Sequence, residues 1–254
     1  MFDAELLAWK TSMDPKNRMW HFRGILNPGS LTYCKETPAL NPKILSLNCG
    51  TPALMEWNGQ SVISSMLRKP VTGPLVVHRD HIEGNSFQAP QWHGVEYAVL
   101  YAFGMKSIHR FLHLLNRQNY EPGELGENIT LDDLDESKIS VGDIFQIGAV
   151  KAQAVYPRIP CSKVNIRMQH SRGQKAMQEC GRSGVYFRIL EPGEIHLTDS
   201  FRLVEESKHR FLISELYYKV VNGIQFNEAE MKRALANGAF PQKVIGKWTP
   251  ILKG

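Results

Sequence analysis

The sequence predicts a mainly β, α+β protein. Between residues 44 and 205, short runs rich in β-branched and aromatic residues are separated by Gly, Pro and Asn turns. Near the middle, and again beyond 206, apolar residues recur at steps of three and four, the period of a helix. These shifts in texture divide the chain into an extension over 1–43, a β-rich body over 44–205 and a helical segment over 206–254.

The extension carries Asn27-Pro28-Gly29, Thr37-Pro38 and Asn41-Pro42, which prevent long regular elements after a short helix over 4–10. In the body, runs at 44–48, 53–57, 61–66 and 75–78 read as strands. Asn58-Gly59 tolerates the positive φ of a type I′ hairpin between the second and third. Val95, Ala98, Val99, Ala102, Phe103, Ile108, Phe111, Leu112 and Leu115 predict one long helix over 95–116, with Gly104 as a kink. An acidic stretch over 132–136 reads as a solvated loop. Strands are expected at 143–147 and 150–156, then a helix over 168–180 that ends at Gly181. Strands at 184–190 and 195–204 would pair through the turn Glu191-Pro192-Gly193-Glu194. In the last block Ser214 caps a helix that stops at Asn222-Gly223. Asn227 with Glu230 makes a capping-box start for a second helix, which stops at Asn237-Gly238.

The 254 residues are 43% hydrophobic and 22% charged, which excludes a disordered or fibrous chain. A formal charge of +5 favours anionic ligands, but no basic run singles out nucleic acid. Trp92, Tyr97 and Tyr186 fall at helical or strand spacing, so they read as core rather than as a stacking platform for bases. The four cysteines include no C-x-x-C pair for zinc, iron–sulfur or dithiol chemistry and are expected as free thiols in a reducing compartment. No window approaches the roughly 18 apolar residues that cross a bilayer. A cytoplasmic protein with no membrane or nucleic-acid partner is expected.

The stretch with most chemical content is Tyr156-Pro157-Arg158-Ile159-Pro160-Cys161-Ser162-Lys163. Two prolines fix φ on the approach to Cys161, presenting the thiol on a stiff loop after a strand. Arg158 and Lys163 bracket the sulfur, and nearby cations favour thiolate, the form needed for nucleophilic attack or metal ligation. The same pattern also describes a small buried hydrophobe beside two surface cations. Cys34, Cys49 and Cys180 read as structural. His78, Asp80, His81 and His93 contain zinc-ligand types, but in a strand positions 78 and 81 point to opposite faces. His93-Gly94 stands at the expected helix entry, where it suits an anion or a cap. Gly126-Glu127-Asn128 brings two polar side chains to a turn, and Lys69 precedes the rigid bend Pro70-Val71-Thr72-Gly73.

Taken in order, several segments resemble the MOSC family, named after the C-terminal part of molybdenum cofactor sulfurase, and most of all its stand-alone YiiM-type members. They are Lys69-Pro70-Val71, Ile82-Glu83-Gly84-Asn85, His93-Gly94 with Ala98-Val99-Leu100, Gly126-Glu127-Asn128-Ile129-Thr130, Val141-Gly142-Asp143, the Cys161 loop, and Gly184-Val185-Tyr186-Phe187-Arg188 with Pro192-Gly193-Glu194-Ile195. The resemblance implies a β-barrel-like domain in which Cys161 is the catalytic residue and ligates the molybdenum of a molybdopterin cofactor, or carries sulfur as a persulfide. It further implies cofactor contacts at Lys69, Asn85, His93, Asn128, Arg158 and Lys163. Two departures are evident: the family's usual Gly-Asp is Gly84-Asn85, and its usual His-Gly-Gly is His93-Gly94-Val95. The implied function is reduction of N-hydroxylated compounds, a detoxification of base analogues, with electrons from a separate flavin or iron–sulfur protein. The alternative is a sulfur carrier that accepts persulfide on Cys161 from a pyridoxal-phosphate cysteine desulfurase, with no pyridoxal phosphate bound to this chain.

Overall fold

The computed structural model describes residues 41–86 and 97–246, all within a unit that spans 39–254. The expected helix over 4–10, and His93 with its glycine, lie outside the described residues. The strands are β1 (Ile44–Cys49), β2 (Ala53–Trp57), β3 (Gln60–Ser64), β4 (Lys69–Pro70), β5 (Leu75–Val77), β6 (Leu100–Gly104), β7 (Ile129–Leu131), β8 (Ile144–Ile147), β9 (Val150–Pro157), β10 (Val185–Glu191), β11 (Gly193–Ile195) and β12 (Phe201–Glu205). The helices are α1 (Met105–His113), α2 (Lys163–Met168), α3 (Gly173–Cys180), α4 (Ile213–Val221), α5 (Glu228–Asn237) and α6 (Gln242–Ile245).

Eight strands form one sheet in the order β12-β8-β9-β10-β6-β7-β1-β4, and only β6 and β7 run parallel. A single antiparallel bridge between Lys43 and Ser200 joins the β1 side to the β12 side, so the sheet curls like a barrel without a closing ladder. The α+β expectation holds. Both faces of the sheet are covered. Leu100 and Ala102 of β6 enter one core with Phe145, Phe187, Phe201, Ile213 and Leu216, whereas Tyr101 and Phe103 enter a second core with Phe111, Leu112, Val164 and Met177. The C-terminal helices therefore share the first core, and α1–α3 cover the second.

This double burial overturns the long helix expected over 95–116. Leu100 to Phe103 are all buried because β6 lies between β10 and β7, and a continuous apolar run satisfies strand and helix alike. Helix begins only at Met105. The 168–180 helix is also two pieces: Gln169 adopts φ 51 and ends α2, and α3 starts at Gly173. The strands expected to pair through 191–194 do not do so. Both edges of β10 are already taken by β9 and β6, so β11 pairs with β5 and β12 with β8.

Other expectations hold. Asn58 and Gly59 take φ 51 and 74, the double positive φ of the expected hairpin turn. The capping box of Asn227 and Glu230 opens α5, and Gly238 ends it. Leu212 rather than Ser214 stands at the start of α4. The acidic stretch is not a solvated loop throughout. Glu136 is buried and bonded by Arg182 at 3.0 Å and by the Gly184 N–H at 3.0 Å.

Candidate cofactor site

The Cys161 loop leaves β9 at the end of the sheet, next to β10. Arg158 N–H donates to Gly184 O, and the Ser183 hydroxyl donates to Arg158 O at 2.5 Å, so the loop is held by the residues that lead into β10. Cys161 is exposed and free, and its carbonyl accepts from Val164 N–H as α2 begins. The two flanking cations part company. Lys163 is half-buried at the start of α2, whereas Arg158 turns inward and is 6% exposed.

Inside, Arg158 meets soft partners. Its guanidinium donates to Met177 Sδ at 3.1 Å and to Met66 Sδ at 3.7 Å, stands 5.7 Å from the Tyr101 ring centre, and favours the charged form of Tyr186 against its burial. Thioethers are weak acceptors, so this fork retains donor capacity for an anionic oxygen. Burial opposes its charge, yet Tyr101, Tyr186, Cys161 and Glu127 outweigh that and raise the pKa of Arg158. Tyr101 and Tyr186 pack with ring centres 5.0 Å apart, and Tyr101 O–H donates to Ser183 O.

A second buried guanidinium, Arg68, was not singled out from the sequence, where its neighbour Lys69 drew attention. Lys69 is exposed, in register with Cys49 across β1 and β4, while Arg68 is 6% exposed. Burial lowers the pKa of Arg68, an effect partly reversed by Tyr186, Cys49, Glu127 and Tyr101. No local pattern carried the signal: Met66 and Arg68 both turn inward around half-buried Leu67, in the turn between β3 and β4 rather than in a strand.

Glu127 completes the charged interior. It is fully buried, and its Oε1 accepts from Tyr120 O–H at 2.6 Å, Gly123 N–H at 2.6 Å and Thr130 O–H at 2.9 Å, while Oε2 has no partner. Burial raises its pKa against those three bonds. Asn128, expected at the cofactor, has its side chain occupied by the sheet. Its Oδ1 accepts from Tyr101 N–H at 3.1 Å and its Nδ2 donates to Asn48 O at 3.2 Å. Asn85 is 8% exposed, and neither of its amide atoms has a partner.

The histidine cluster does not assemble a metal site. His78 and His81 stack with centres 4.3 Å apart, because a turn and not a strand connects them, and they bond Glu83 and Asp80 at the surface. Among the described residues no three His, Cys, Asp or Glu side chains are grouped to hold a metal ion. An accessible thiol, two buried guanidiniums and an orphaned amide instead fit a ligand that is part soft metal, part anion and part polar heterocycle.

Residues 89–202 match the family model of the MOSC domain. The chain is similar to Protein YiiM of Escherichia coli, 35% identical over 79 residues that cover 31% of this chain and 35% of that protein. It is also 33% identical, over 87 residues, to a protein named Reductase from Gibberella moniliformis, covering 34% of this chain and 16% of that one. The crystal structure of YiiM from Geobacillus stearothermophilus superposes with a TM-score of 0.65 at 26% identity, covering 83% of this chain and 99% of that one. By sequence over residues 89–202, and by fold over most of its length, this chain is similar to MOSC-domain proteins of the YiiM type.

Proposed function

We propose that the protein binds a molybdenum cofactor and reduces N-hydroxylated compounds, with Cys161 as the metal-ligating thiol. The observation that carries this reading is the exposed Cys161 thiol on a loop whose Arg158 points inward to soft partners, in a MOSC domain. Likeness to a protein named Reductase supports an oxidoreductase role. The cofactor, when bound, would supply the two-electron chemistry.

The chain's own residues do the rest. Arg158 and Arg68 hold the anionic part of the cofactor, with Lys163 and Lys69 on the solvent side, and Cys161 presents its sulfur from a loop with little freedom left to lose. Converting an N-hydroxylamine to an amine and water consumes two electrons and two protons. Protons reach the reacting oxygen from solvent beside the exposed Cys161. The electrons come from a separate flavin or iron–sulfur protein in the cytoplasm. Metal analysis of protein from a host that makes the cofactor tests the reading. Stoichiometric molybdenum, lost in Cys161→Ala with the melting temperature kept, is the expected result, and absence of metal from both proteins overturns it.

Exposure of Cys161 also favours a second reading, because a persulfide acceptor must reach another protein's active site. Incubation with a cysteine desulfurase and cysteine separates the two. Mass gain of one sulfur atom confined to Cys161 would support the carrier.

A further inference from the structure

Asn85 closes the turn that follows β5. Gly84 takes φ +70, Asn85 N–H donates to Ile82 O at 3.1 Å, Glu83 N–H to Val76 O at 3.0 Å, and Ser86 N–H to Gly50 O at 3.2 Å. These bonds pin the backbone on both sides of Asn85 and fix where its side chain starts. Its Oδ1 and Nδ2 are nonetheless without partners in a residue only 8% exposed. An unmet buried amide atom is costly, and a native structure that keeps two needs a reason. Place supplies one. Gly50 follows Cys49 and packs so closely on the Arg68 segment that a Cβ there would lie 2.3 Å from Leu67 O and 3.1 Å from Arg68 Cα. The turn thus abuts the segment just before β4 that carries the buried guanidinium.

A carboxamide offers one donor and one acceptor side by side, and its complement is an edge with acceptor beside donor. Lactam and amidine edges of nitrogen heterocycles have that form, by the logic that lets Asn read adenine. We propose that Asn85 is a specificity-determining residue that reads the hydrogen-bonding edge of a nitrogen heterocycle held beside Arg68. The inference rests on the function proposed above and deepens it, because a pterin and an N-hydroxylated purine both present such an edge.

Full-length wild type, Asn85→Leu and Asn85→Ala, expressed in a host that makes the cofactor, are compared in three measurements. These are pterin retained per chain, by fluorescence after oxidation; affinity for an N-hydroxylated purine, by calorimetry; and melting temperature of the cofactor-free chain. The expected result is a tenfold or greater loss of retained pterin or of purine affinity, with melting of at least one variant at or above wild type, since the orphaned amide is gone. Loss confined to pterin assigns the edge to the cofactor, and loss confined to the purine assigns it to the substrate. Unchanged binding of both in the two variants overturns the inference, as does lower melting of both variants, which would mean that the amide serves the fold. Wild type that retains no pterin and binds no purine overturns the functional reading, and this inference with it.

Discussion

Arg158 and Glu127 lie in the same buried interior with opposite titration behaviour: the cation's charge is favoured there, the carboxylate's is not. For Glu127 the consequence is a pH dependence. A carboxyl whose pKa is raised by folding contributes stability below its unfolded pKa and loses it as pH rises through the folded value. Glu127→Gln keeps an oxygen for the three donors and removes the charge. Stability against denaturant should therefore decline less in the variant than in wild type as pH rises above the ordinary carboxylate range. A variant curve parallel to wild type would mean that Glu127 is ionised at no cost. At this scale the sequence was legible where covalent geometry does the work, as in the proline-framed Cys161. It was not where burial decides. Nothing in the text Leu67-Arg68-Lys69 says which cation turns inward, and Asn128 reads as a polar turn residue although its amide bridges Tyr101 and Asn48.

Elements were most legible where a single residue type fixes backbone geometry. Asn58-Gly59 and the Asn227 capping box are local arrangements that need no partner from elsewhere. β6 is the opposite case, because its conformation is set by β10 and β7 on either side and by a core on each face, none of which lies next to it in sequence. Gly184, at the start of β10, links this element to the site. It takes φ +80, its O accepts from Arg158 N–H, and a Cβ would stand 2.4 Å from Ala102 O in β6. Gly184→Ala should cost about 2–3 kcal/mol of stability through the left-handed backbone and the clash with a central strand. Chemical denaturation measures it, and a loss below about 0.5 kcal/mol would show that β6 and β10 can separate without penalty.

For the whole molecule, acid tolerance depends on how the loop after β7 is tied to the segment between α3 and β10. Asp135 accepts from Arg182 at 2.6 Å and from Ser137 O–H at 2.6 Å. Although burial opposes its charge, the Ser137 and Arg182 bonds hold the Asp135 pKa at about 2. A depressed carboxylate contributes stability above its unfolded pKa, and the contribution fades as pH falls from about 4 to about 2. Asp135→Asn should lower stability at neutral pH by about 1–2 kcal/mol and flatten the acid limb over that interval. An acid limb as steep as that of wild type would assign the titration elsewhere. Global shape was legible as a class, a mainly β body with helices after it. The sheet order was not, since pairings such as β1 with β7 join segments whose meeting no local pattern encodes.

The contact from Arg158 to Met66 spans 92 positions of the chain. A guest gripped by both buried guanidiniums would fasten remote stretches as a buckle fastens a strap, so its release energy would appear as heat tolerance of the entire unit rather than of one loop.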